Sequence, residues 1–266
     1  MHFHFTLNAV QILWTLTFAA LLVLLTVLVG RERVRRFPWF TASIGLLTLR
    51  LLAERLIYGH MAPIPTSVLF FTLADLAVLL DLLVLAEIAR RAFDGARRRP
   101  VVIASFAAIA VAVAVVGIWG PWPARRTVFA HSELAHVRLM QLLSEKGDIF
   151  AAVLAIELGI LVVFLGRRFR AGWRSHPQGI AIGLSAAATS LLVTRAALQA
   201  IGAHTTIHSH AELEQALALQ GRIANANSAI YFAVLIWWIA VLWLDEPESP
   251  DFAISGSERA QFRISA

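Results

Sequence analysis

Charged side chains interrupt stretches that are otherwise apolar enough to be membrane-embedded: Arg50, Glu54, Asp75, Asp81, Glu157 and Arg195. A charge in hydrocarbon is expensive, so such residues turn toward protein or water. There they pair with one another or line a route for an ion, a proton or a polar solute. At ~1.5 Å per helical residue, counted from the same end of each stretch, Arg50 lies ~14 Å deep, Asp75 ~13 Å, Glu157 ~15 Å and Arg195 ~10 Å. The four predict one polar layer with balanced signs. Arg50 is expected to pair with Asp75 across the short connection Gly59–Pro65, and Glu54 stands one turn from Arg50 on the same helix. Asp81 falls ~22 Å deep with no Arg at its level. The layer reads either as ion-paired staples fixing helix register or as the lining of a polar cavity.

A second group is imidazole-rich. HSELAH carries His131 and His136, and HTTIHSH carries His204, His208 and His210, with Glu133 and Glu212 close by in sequence. Neutral imidazole with carboxylate suits a divalent metal such as Zn, Cu or Ni, so these five histidines are the candidate metal ligands. Exposed loop histidines without any metal are the plainer reading.

Other chemistries fail on particular residues. There is no Cys, which removes disulfides, thiolate metal sites and cysteine nucleophiles. The sole lysine, Lys146, precedes the fifth apolar stretch and the seventh has none, so a retinal Schiff base has no attachment point. HExxH, GxSxG and phosphate-binding glycine loops are missing, and no nucleophile is identifiable, which argues against an enzyme.

The elements that must position these residues follow from composition. The chain of 266 residues is 59% hydrophobic and 15% charged. A soluble domain carries about 25% charged residues, so this composition predicts a membrane protein. Seven stretches are expected to span: 8–30, 38–58, 66–88, 101–119, 148–166, 178–201 and 224–244. The third was expected to be the central helix, because Asp75, Asp81 and Glu87 point in three directions. Of the 23 basic residues all but Lys146 are Arg, and they cluster in GRERVRRF, ARRAFDGARRRP and GRRFRAGWRSHP. The excess marks the first, third and fifth connections as cytoplasmic and calls for no nucleic-acid partner. The N-terminus is then outside and the C-terminus inside, as in a multi-pass protein of a bacterial-type inner membrane. Trp39, Trp119, Trp122, Trp173 and Trp243 fall near span ends, as interfacial aromatics do.

The fold expected is thus all-α, a seven-helix bundle over residues 1–244 with a disordered tail over 245–266. Short amphipathic helices are expected in the outer 4–5 and 6–7 connections, the second opened by the capping box Ser209-His210-Ala211-Glu212. The small residues of the sixth stretch (Gly179, Gly183, Ser185, Ala186, Ala187, Ala188) predict close packing within the monomer rather than a homo-oligomer interface. Two functions fit: binding or transport of a small solute or proton at the polar layer, or a seven-helix sensor or accessory subunit with a His-rich outer face and a membrane-protein partner.

Overall fold

The computed structural model describes residues 9–57, 60, 62–93, 98–120, 122–123, 133–165, 175–204 and 210–245. Among them seven α-helices form the molecule: α1 (Ala9–Gly30), α2 (Pro38–Ile57), α3 (Pro63–Ala92), α4 (Arg98–Ile118), α5 (Glu133–Leu165), α6 (His176–His204) and α7 (His210–Trp243). A short 3-10 turn, Arg33–Arg35, joins α1 to α2. Helix dominates because apolar, Leu- and Ala-rich sequence can satisfy its backbone in hydrocarbon only through intrahelical bonds. Proline enters only where it costs little, as with Pro38 opening α2 and Pro63 opening α3.

Six helices are long and apolar enough to cross a membrane: α1, α3, α4, α5, α6 and α7. α2, expected as the second span, is not among them, because Arg50, Glu54 and Arg55 crowd its last turns. It nevertheless packs between α1 and α3. The helices close a ring in which α1 meets α2 and α7, α3 meets α2, α5 and α6, and α6 meets α5 and α7. α4 stands outside the ring and packs on α5 through Ala112 against Ile149 and Val153.

Two expectations are corrected here. The most enclosed helix is α5 and not α3. On α3, Val68, Thr72, Leu76, Leu79 and Ala86 form an exposed stripe, and both Asp81 and Glu87 reach α2 instead of diverging. Of the amphipathic segments expected in the 4–5 and 6–7 connections, the first prolongs α5, one of the two arrangements its apolar spacing allows. The second is not a separate short helix but the opening turns of α7; the two helices run unbroken for 33 and 34 residues. At ~1.5 Å per residue each is ~50 Å long, well beyond a ~30 Å hydrocarbon core. Ser209 and the tail from residue 246 lie outside the described residues.

Tight packing in lipid depends on small residues, because apolar burial brings helices no closer than lipid would. A Cβ on Gly159 of α5 would collide with Ser185 of α6, and one on Gly183 of α6 would collide with the Trp238 indole of α7. Ser185 Oγ lies 2.7 Å from Ala155 O of α5 and 2.9 Å from Ala181 O of its own helix, so its one proton is shared across the interface. The Trp238 ring meets Phe40 of α2 edge-on, with centroids 5.2 Å apart, closing the core at the Arg-rich end. Gly183→Leu should therefore lower stability by about 1–3 kcal/mol through overpacking. Gly117→Leu on the open side of α4, where nothing lies within 4 Å, should change it by about 0.5 kcal/mol or less. Denaturation curves of the purified protein compare the two.

Candidate functional site

The polar layer is built around a residue the hydropathy pattern placed at a helix end. Gly147 of α5 sits against α3, where a Cβ would come within 2.7 Å of Val78 Cγ1. That close approach carries the next residue, Asp148, into the bundle, and Asp148 Oδ2 accepts a 2.5 Å hydrogen bond from Arg195 Nη2 of α6. The other terminal nitrogen, Nη1, donates to Glu145 O at 2.9 Å. Arg195 thus clamps one turn of α5, and the pair is about a quarter (Arg195) and a third (Asp148) exposed.

Around this pair stand three of the expected residues. Arg50 of α2 and Asp75 and Asp81 of α3 all lie within electrostatic reach of Asp148. Arg50 does not pair with Asp75. Its Nε donates to Glu54 Oε1 at 3.3 Å on the same helix, a partner one turn away that needs no interhelical alignment. Asp75 Oδ1 is buried with no hydrogen-bond partner. Asp81 accepts a 2.9 Å bond from Ser43 Oγ of α2 and lies within electrostatic reach of Tyr231 of α7. Neither Asp75 nor Asp81 forms an ion pair with a basic residue among the described residues. Glu157 is not in this layer. It lies two and a half turns further along α5, ~13 Å from Asp148, and its Oε2 is buried without a partner. The sequence estimate failed here because it took Asp148 as the surface end of the helix.

Beside the layer is an open pocket of about 400 Å³ lined by Trp119 and Gly120 at the end of α4, Glu145, Lys146 and Ile149 of α5, and Arg195 and Gln199 of α6. Lys146 Nζ donates to Trp119 O and lies 4.4 Å from the centroid of the Trp122 ring. Arg195 is common to the pocket and the layer. Gln199 shares helix α6 with Arg195 and was legible as a polar residue there, whereas Lys146 is the lining residue that sequence reasoning missed. The signal for Lys146 was present, as the single lysine of an Arg-rich chain.

The opposite, Arg-rich end is stapled by polar contacts of its own. Glu87 Oε2 accepts from Phe40 N at 3.2 Å, placing a carboxylate at the positive end of α2, and Glu87 Oε1 pairs with Arg91 at 3.7 Å. His176 Nε2 lies 2.9 Å from Leu244 O, and Asp245 pairs with Arg31 and Arg33. These contacts tie the α1–α2 turn, α6 and the end of α7 together, a structural role.

Of the candidate metal ligands, His131 and His208 and the side chain of His204 lie outside the described residues. His136 is exposed on the first turns of α5, and His210 opens α7 and pairs with Glu214 at 3.4 Å. Among the described residues no group of three or more metal-ligating side chains converges.

The apolar bundle with a polar layer among α2, α3, α5 and α6 defines the class: an all-helical, multi-pass integral membrane protein in contact with the lipid bilayer. Beyond that class, no protein-family model, curated protein or solved structure matches this chain.

Proposed function

We propose that this protein binds and transfers a proton, alone or with a small polar solute, through the layer formed by Asp75, Asp81, Asp148, Arg50 and Arg195. The observation that carries the reading is the surplus of carboxyls. Asp148 has Arg195, whereas Asp75 and Asp81, within electrostatic reach of Asp148, have no basic ion-pair partner among the described residues. Membrane-buried carboxylates of this kind are too costly to serve as staples alone, and acids in a chain are the usual relay for protons. Ser43 and Tyr231 extend the polar series toward the Arg-rich end. The polar pocket at Arg195 gives the layer an opening on the other side.

The helix order supports the same reading. Two three-helix units, α1–α3 and α5–α7, flank the peripheral α4, and each carries an Arg on its middle helix, Arg50 and Arg195. Small transporters are commonly built from such repeats around a mid-membrane site. In this reading α2 spans as the seventh helix between its two spanning neighbours, and the Arg-rich end is cytoplasmic with the N-terminus outside. Cysteines introduced into this cysteine-free chain test the orientation. In right-side-out vesicles His210→Cys should react with an impermeant maleimide and Arg90→Cys should not. Equal reaction at both overturns the orientation.

A sensor or accessory-subunit role is the second reading. It is favoured by the overlength of α5 and α7, whose ~50 Å leaves ~20 Å of helix outside the hydrocarbon as a docking platform. The two readings part on whether the layer can be emptied of charge without loss of function. A Zn or Ni site at His131, His136, His204, His208 and His210 would belong to that projecting end.

A further inference from the structure

We infer that the pocket between the end of α4 and helices α5 and α6 binds a small oxyanion, a carboxylate or phosphate group, held by Lys146 and Arg195 with Gln199. This rests on the proposed function only in sharing Arg195, and it assigns the pocket a ligand class which that reading leaves open. Lys146 is the only lysine in the chain, and among the described residues it has no carboxylate partner. Its two contacts, the Trp119 carbonyl and the Trp122 ring face, are both formally neutral. They orient the ammonium and leave its charge uncompensated. Arg195 presents five N–H donors in a planar fork suited to an oxyanion, and two of its nitrogens are engaged by Asp148 and Glu145 O.

The Gly120 backbone lies close to two of these groups at the end of α4. Gly120 adopts a left-handed φ of +70°, and a Cβ there would lie 3.6 Å from Gln199 Nε2 and 3.9 Å from Lys146 Nζ. Both are ordinary contact distances, so it is the positive φ and not lack of space that favours glycine here. One acid, Glu145, also lines the pocket, but its Oε1 is engaged by Gln141 Nε2 at 2.8 Å. The lining therefore offers the uncompensated ammonium of Lys146, the unengaged N–H groups of the Asp148-paired Arg195 and an amide donor, against one partly satisfied carboxylate. A volume of about 400 Å³ is at the small end of ligand pockets and admits one compact anionic group. The two tryptophans place the pocket at the interfacial level of a membrane, so the oxyanion comes either from a free solute or from a phospholipid headgroup.

The purified protein in a neutral maltoside is titrated with sodium succinate, with inorganic phosphate and with phosphatidylglycerol in mixed micelles, against sodium chloride at matched ionic strength. At least one probe should raise Tm saturably. Lys146→Met should weaken its apparent Kd about tenfold or more, the loss of one charge-assisted contact, and Lys146→Arg should retain most of the affinity. A response to succinate or phosphate assigns a solute site, and a response to phosphatidylglycerol alone assigns a headgroup site. No response to any probe, or an equal response in Lys146→Met, overturns the inference. Should Lys146→Met fail to fold, acetylation of the single lysine in the unmutated protein by an N-hydroxysuccinimide ester gives the answer by peptide mass mapping. A bound oxyanion should slow the reaction markedly, and an unchanged rate overturns the site. Because these are equilibrium measurements in detergent, their failure leaves proton transfer across a bilayer untouched.

Discussion

Arg195→Leu should destabilise the purified protein by about 3 kcal/mol, and the double variant Arg195→Leu/Asp148→Leu should recover most of that loss. The reason lies in the asymmetry of ion pairs away from water. Removing one member strands its partner's charge at a cost of roughly 3–5 kcal/mol, whereas replacing both with apolar side chains is often close to neutral. The lower figure applies because both side chains keep some exposure. Asp148→Leu alone should cost less than Arg195→Leu, since Arg195 keeps its bond to Glu145 O. Arg50→Leu serves as the internal comparison. Its partner Glu54 is on the same helix and both side chains are at least a third exposed, so its loss should change stability by about 1 kcal/mol or less. Additive losses at Arg195 and Asp148 would show that the two do not act as a pair.

The seven helices were legible in the sequence, and so was the presence of Arg50, Asp75 and Arg195 as charges within apolar stretches. Both follow from apolar length, which needs no tertiary knowledge. What could not be read was the choice of partner. The segment 133–147 carries Arg138, Glu145 and Lys146 among its apolar residues, so a hydropathy boundary falls at Asp148 and makes it a surface residue. In the structure α5 continues through that segment, and the Gly147–Val78 approach pulls Asp148 inward. The misplaced boundary gives Glu157 the depth that belongs to Asp148; for Arg50 the spacing allows both Asp75 across the loop and Glu54 one turn away, and the structure takes Glu54. The small residues of α6 were more informative. Gly179, Gly183 and Ser185 do meet α7 and α5, because spacing on one helix fixes which residues share a face. The expected metal cluster rests on connections largely outside the described residues, where sequence supplies ligand types but no geometry.

Asp148→Asn should abolish proton transfer while leaving the shape of the layer in place. The amide matches the carboxylate in size and keeps an oxygen for Arg195 Nη2, but it cannot take up or release a proton. Asp81→Asn should have the same effect, since Asp81 lies within electrostatic reach of both Asp148 and Tyr231. Gly117→Leu should transfer protons at close to the unmutated rate, because nothing lies within 4 Å of a Cβ at that position on α4. The direct measurement is proton flux into proteoliposomes loaded with a pH-sensitive dye, driven by a valinomycin-imposed potassium diffusion potential. The unmutated protein should acidify the lumen well above empty liposomes, and the flux of Asp148→Asn should fall at least about tenfold, as expected for a group essential to proton transfer. Flux no faster than in empty liposomes, or equal flux in the unmutated protein and Asp148→Asn, would contradict the proposed proton transfer.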